Sequence, residues 1–535
     1  MKVTFKSTLL ATSALVMMLA GAAQAKTLVY CSEGSPEGFD PAPYTSGTTF
    51  DATSRPVFNR LVEFEKGTTN IIPGLAESWE VSADGLEYTF KLRPGVKFHT
   101  TEFFAPTRDM NADDVIFSFM RQGDANHPWN QYVAGVSYEY YNSMEMSTLI
   151  KEIVKVDDLT VKFVLTRPEA PFMANLGMDF ASIVSKEYAD KLEAEGRKED
   201  LNNLPVGTGP FKFVAYQKDA VIRYAANDDY WGERPKIDTL VFAITTDPAV
   251  RVQKLKAGEC HVMPYPAPAD IEGLKADANI TVMEQAGLNV AYLAYNATMA
   301  PFDNPKVRKA LNMAINKQAI IDAVYQGSGQ LAKNPIPPTM WSYNDAVVDD
   351  AYDPAAAKAM LDEAGVKDLS MKVWAMPVQR PYMPNARRTA ELIQEDFSKI
   401  GVNVEIVSYE WGEYLKKSTE MNRDGAVILG WTGDNGDPDN FMGVLLSCAA
   451  AGEGGANRAH WCNEEFSALL TQAKATSDQA ERTKLYEQAQ VIFKDQAPWA
   501  TLGHSTVFMP MSTKVQGYVM SPLGSHQFDN VDIVE

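Results

Sequence analysis

The segment Gly430–Asn440, GWTGDNGDPDN, sets Asp434, Asp437 and Asp439 just behind the apolar run AVILG. Carboxylates this close can ligate a metal, pass protons or hold a cation. A calcium loop asks for the DxDxDG order and a closing Glu; both are missing here and Pro438 stiffens the run. Acid–base hydrolysis asks for a nucleophile, yet no GxSxG elbow occurs and the nearest histidine in sequence is His460. The remaining chemistry is cation binding. Asp434 beside Trp431 suits an ammonium, with the ring excluding water. Asp437 and Asp439 are expected to cap the helix-like stretch PDNFMGVLL. A second loop, PVQRPYMPN, carries Arg380. A guanidinium is always charged and fits a carboxylate with two parallel hydrogen bonds. Together these groups describe a zwitterion, ammonium at one end and carboxylate at the other. On the residues alone, the alternative that Arg380 and Asp434 pair with each other or stay in water remains open.

The elements that must position these groups form an alternating pattern. LSMKVWAM (369–376) reads as a strand, Ala386–Ile400 as a helix stopped by Gly401, and VNVEIV (402–407) as a strand. That is a βαβ unit, and GAVILGW adds another buried strand. Ligands of open α/β sheets bind beyond the carboxyl ends of the strands, and the loops of Arg380 and Asp434 both leave such ends. Upstream, LEYTFKLRPGVKF (86–98) reads as two strands around Pro94–Gly95. NADDVIFSFMRQ reads as a helix capped by Asn111 with Asp114 closing the box. LNVAYLAYN (288–296) reads as a strand. Pro305 opens a helix whose stripe is Val307, Ala310, Leu311, Ala314 and Ile315. DPAAAKAMLDEAG is a compact helix capped by Asp353.

Length and composition fit a globular protein of several lobes: 535 residues, 45% hydrophobic and 22% charged. The first 25 residues carry Lys2 and Lys6, a short apolar core and small residues at Ala23 and Ala25, the pattern of a secretory signal cleaved before Lys26. Their removal takes the net charge from −20 to −22, which argues against binding nucleic acid or an anionic membrane. Four cysteines in an exported chain allow three disulfide pairings. The short spacing favours Cys448 with Cys462, which leaves Cys31 with Cys260; four free thiols is the alternative. No metal or cofactor is expected, since the cysteines and the six scattered histidines give no ligand spacing. His261, Met263 and Tyr265 lie near one another in sequence, a grouping that reads as core packing rather than haem ligation.

Several stretches together resemble the dipeptide branch of the extracytoplasmic solute-binding proteins, family 5, which serve ABC peptide importers. They include KTLVYCSEGSPEGFDP, PGLAESWEVSADGLEYTFKLRPGVKFH with NADDVIFSF, GTGPF, WAMPVQRPYMPNARR and GWTGDNGDPDNF. The resemblance implies an α/β, two-lobed periplasmic binding protein that closes about a hinge. Lobe I would join 26–57, 207–286 and 505–535, with an extra domain at 58–206, and lobe II would span 287–504. It implies Asp434 for the ligand ammonium and Arg380 for its carboxylate, with Gly47, Thr48, Tyr382, Trp411 and Trp431 lining the pocket. It supports the pairings Cys31–Cys260 and Cys448–Cys462. The implied role is that of a monomeric, non-enzymatic carrier in the periplasm. It would deliver dipeptides to a separate membrane permease and ATPase, with a chemoreceptor as a further partner. Because family relatives carry longer peptides, nickel complexes or haem, longer peptides and haem are the alternative ligands.

Overall fold

The computed structural model describes residues 25–133 and 135–534; the targeting segment read at 1–25 lies outside them but for Ala25. The chain opens with strand β1 (Thr27–Tyr30) and helix α1 (Gly47–Ala52). It then builds an antiparallel four-stranded sheet from β2 (Ala76–Val81), β3 (Glu87–Leu92), β4 (Ile150–Asp157) and β5 (Thr160–Leu165), in the order β2-β3-β5-β4. Helix α2 (Ala112–Gly123) packs on this sheet. Its capping box is complete: Asn111 accepts from the Asp113 amide, and Asp114 accepts from the Asn111 amide. The chain returns through β6 (Phe211–Gln217), β7 (Val221–Ala226) and β8 (Thr239–Ala243), giving a sheet ordered β1-β8-β7-β6.

The remainder forms a seven-stranded sheet. Its path is β9 (Ile280–Ala286), β14 (Trp499–Ser512), β10 (Asn289–Tyr295), β13 (Ala426–Thr432), β11 (Ser370–Trp374) and β12 (Asn403–Val407), with a short strand at Gly329–Leu331 against β14. Helix α3 (Pro305–Ala314) and helix α4 (Ala386–Lys399) belong to this half. The expected βαβ unit is present: β11 and β12 pair in parallel across α4, and β13 pairs in parallel with β11 on its other side. β10 is buried at every residue, as a central strand with both faces covered should be. β14 spans two neighbourhoods. Its first half pairs with β10 and its second half with β9, with the changeover near Gly503–Thr506.

Two local expectations are corrected. After the Pro94–Gly95 turn no second strand forms at 96–98, because the backbone bonds there go to separate partners. Val96 accepts from the Met110 amide and His99 donates to the Gly207 carbonyl, so no ladder develops. The helix from Pro305 ends at Ala314. Ile315 is buried but extended (ψ 119°), and Asn316 starts a new helical turn by accepting from the Ala319 amide. Both disulfides, Cys31–Cys260 and Cys448–Cys462, are formed.

Candidate functional site

Arg380 and Asp434 leave the carboxyl ends of β11 and β13, parallel neighbours, and line one cavity of about 780 Å3, counting the space it opens onto. Gly47, Tyr382, Trp411 and Trp431 line it as well; Thr48 does not, but it touches Arg380 from behind. The walls come from both halves of the molecule, since Gly47 and Asp51 lie on α1 while Trp411 opens helix α5 (Trp411–Ser418).

Arg380 and Asp434 do not pair with each other. The Arg380 Nη1 donates to Glu33 Oε1 (2.9 Å) and to the Thr48 hydroxyl (2.6 Å), which in turn donates to Glu33 Oε1 (2.6 Å). All three side chains are buried. The guanidinium lies over the rings of Trp411 (5.6 Å) and Tyr265 (5.8 Å), an arrangement that offsets part of its desolvation. Its Nε finds no partner among the described residues. Nη1 is therefore held by protein, Nε is sealed from solvent, and Nη2, beside Gly47, is the donor left for a ligand carboxylate. Gly47 makes the approach possible: a Cβ there would sit 3.2 Å from Nη2. The Glu33 carboxylate beside it keeps the guanidinium charged despite burial.

Asp434 stands at the other end and is half-buried. Its Oδ2 accepts from the Tyr140 hydroxyl (2.7 Å), and its amide donates to Asn440 Oδ1 (2.8 Å), which also accepts from the Trp431 indole (2.9 Å). No cation lies within ion-pair distance of it among the described residues. Burial pushes its carboxyl up to about 7, with the Tyr140 hydrogen bond opposing the rise and Asp179 adding to it. Asp179 itself is paired with Arg55 (2.7 Å). An unpaired acid held this way wants a cation. The ring of Tyr382 lies against β13 where only Gly430 fits, since a Cβ there would come within 2.3 Å of it.

The other two aspartates of the loop point away from the cavity. Asp437 accepts from the Asp439 amide at the start of helix α6 (Asp439–Leu446) and pairs with Arg482 (2.8 Å). The expectation that Asp439 also caps is corrected: it is the first residue of that helix and is buried with Oδ1 unpartnered, while Pro438 occupies the cap position. His261 and Met263 lie outside the cavity. His261 accepts from the Val29 amide (2.9 Å) and Met263 packs in the core around the Cys31–Cys260 disulfide.

Sequence reading missed Glu33, Tyr140, Asp179, Tyr265 and Arg458. Arg458 lines the cavity from the loop closed by Cys448–Cys462 and pairs with Glu139 (2.8 Å). Its signal was available, an arginine inside a disulfide-closed loop. Tyr140 meets Asp434 across 294 positions of sequence, a distance at which spacing says nothing.

A family model for bacterial extracellular solute-binding proteins, family 5 (middle), matches residues 70–453. The dipeptide-binding protein of Escherichia coli (strain K12) is 59% identical over 522 residues, 97% of each chain. Di/tripeptide-binding protein 1 of Pseudomonas aeruginosa (strain UCBPP-PA14) is 52% identical over 511 residues, 95% of this chain and 94% of its own. Among solved structures, a dipeptide binding protein from Pseudoalteromonas sp. SM9913 in complex with Met-Leu superposes with a TM-score of 0.91. It is 41% identical, over 95% of this chain and 100% of that one.

Proposed function

The chain belongs to the bacterial extracellular solute-binding proteins of family 5, and on that premise we propose that it captures dipeptides by their two ends for an ABC importer. Asp434 takes the ammonium. The Arg380 guanidinium, through Nη2, takes the carboxylate. Gly47, Tyr382, Trp411 and Trp431 shape the space between, and Thr48 braces Arg380 from behind. The observation that carries this reading is a buried guanidinium and a half-buried carboxyl facing one cavity, not paired to each other, the carboxyl without a cation among the described residues. A zwitterion entering such a site meets an opposite charge at each end, which offsets the cost of stripping both its charges of water.

The names and ligands of the relatives support dipeptides as the ligand class. The protein acts as a carrier without catalysis, exported to the periplasm with cleavage before Lys26, and hands its cargo to a separate permease and ATPase. Residues 26–57, 207–286 and 505–535 form lobe I, 58–206 its extra domain and 287–504 lobe II. The hinge lies where the chain crosses near Gly287 and along β14 near His504. Titration calorimetry of ligand-free protein against alanine, Ala-Ala, Ala-Ala-Ala, Ala-Ala-Ala-Ala and haem tests the reading. Ala-Ala is expected to bind most tightly; equal binding of the tetrapeptide, or binding of haem alone, contradicts it.

A further inference from the structure

A second, wider pocket of about 1120 Å3, counting the solvent it opens onto, adjoins the cavity described above; Thr45 and Leu415 line both. It opens beside Trp411, one helical turn before Leu415 on α5 and the ring over which Arg380 lies. Thr45 and the turn from Trp411 bring it beside the Arg380 end of the ligand, while Glu139, next to Tyr140, borders it from the Asp434 side. Three acids line the chamber: Glu37, Glu139 and Glu410. They are not equivalent. Glu139 is already neutralised by Arg458 (2.8 Å), and Glu410 is exposed and caps α5 by accepting from the Glu413 amide (3.2 Å). Glu37 is largely buried. Its Oε1 accepts from the Thr49 hydroxyl (3.2 Å), and no lysine, arginine or histidine among the described residues lies within 4.0 Å of it.

Two lysines also line the chamber, Lys218 and Lys416, and both are exposed. Their charges sit in water at the mouth, where screening is strongest. The inner wall thus holds one uncompensated carboxyl, and a group that reaches it from the ligand cavity meets acid first. Burial and the neighbouring Glu139 push Glu37 up to about 8, which Arg458 and Arg380 moderate. An ammonium or guanidinium brought beside it would reverse that rise and drive a proton off.

We propose that this chamber receives the side chain of the peptide's C-terminal residue and, through Glu37, selects lysine or arginine there over aspartate or glutamate. The proposal rests on the dipeptide reading above and adds a side-chain preference to it. An acidic side chain in the same place would leave Glu37 protonated and gain no ion pair from it, so it lacks the attraction that a cation finds there.

The test is calorimetry at pH 7 with Ala-Ala, Ala-Lys, Ala-Glu and Lys-Ala on the full mature chain and on Glu37→Gln. Wild-type protein is expected to bind Ala-Lys at least tenfold more tightly than Ala-Glu, with Ala-Ala between them and no advantage for Lys-Ala over Ala-Ala. In Glu37→Gln the Ala-Lys to Ala-Glu ratio is expected to collapse to about threefold or less. A second measurement needs only wild-type protein. Repeated in buffers of different ionisation enthalpy, Ala-Lys is expected to release more protons on binding than Ala-Ala does. Equal proton release, an unchanged ratio in Glu37→Gln, or a lysine preference carried by Lys-Ala overturns the proposal. Ala-Ala failing to bind wild-type protein overturns both readings; Ala-Ala binding with no preference for Ala-Lys overturns this one alone.

Discussion

In the proposed role, Asp434 serves binding at the expense of the empty protein. In the folded, ligand-free chain its carboxyl holds its proton up to about 7, whereas an unfolded aspartate releases it near 3.9. The folded state therefore binds more protons between those values, and ligand-free stability falls as pH rises through that window. Asp434→Asn removes the ionisable group and keeps an acceptor for Tyr140. It is expected to melt higher than wild type at pH 8 without ligand, by differential scanning calorimetry. The same variant is expected to lose dipeptide affinity by tens- to thousands-fold, the range for truncating one partner of a buried charge pair, about 2–5 kcal/mol. The pH profile of wild-type binding follows from the same group. The peptide ammonium needs Asp434 ionised, so affinity is expected to fall as pH drops below about 7. It falls again above roughly 8, where a free α-amino group loses its proton. A flat profile from pH 5 to 7 would contradict the assignment.

At the scale of elements, the loop closed by Cys448–Cys462 belongs to the site. It carries Gly454, whose carbonyl accepts from Ser137, and Ala456 and Arg458, which line the cavity. Replacing both cysteines by alanine is expected to cost about 3 kcal/mol by the chain-entropy argument, read by urea melts. It is also expected to weaken dipeptide binding, because the Arg458–Glu139 contact is no longer held. Asp437→Asn, by contrast, is expected to lower stability by loosening Arg482 while leaving affinity nearly intact. These elements differ in how far the sequence announces them. The βαβ unit around Arg380 and the strand before Asp434 were readable from alternation, a stop glycine and a 3.6-residue stripe, because each signal is local. The sequence-based helix from Pro305 ran past Ala314, since the tertiary bond from the Asn316 amide to Asp396 leaves no trace in the stripe. Arg380 and Asp434 stood out by residue type and by position at strand ends. Glu33 and Tyr140, their partners, did not, because contacts spanning 347 and 294 positions depend on how the halves meet.

At the scale of the molecule, residues far apart in the chain, from Gly47 to Asp434, wall one cavity, and with the hinge proposed near Gly287 and His504 a ligand bound there would join the two lobes. Small-angle scattering is expected to show the particle contracting when dipeptide is added, a hinge closure. Thermal stability is expected to rise by about 2.7 kcal/mol at a hundredfold excess over Kd. The central claim is that the two halves close on the two charges of one small peptide, and its most direct test varies those charges one at a time. Calorimetry compares Ala-Ala, its N-acetyl form and its C-terminal amide, each against wild type, Asp434→Asn and Arg380→Ala. Each blocked peptide is predicted to bind wild type far more weakly than the free one. Acetylation is predicted to add little further loss in Asp434→Asn, and amidation little further loss in Arg380→Ala. N-acetyl-Ala-Ala binding wild-type protein as tightly as Ala-Ala would contradict the account.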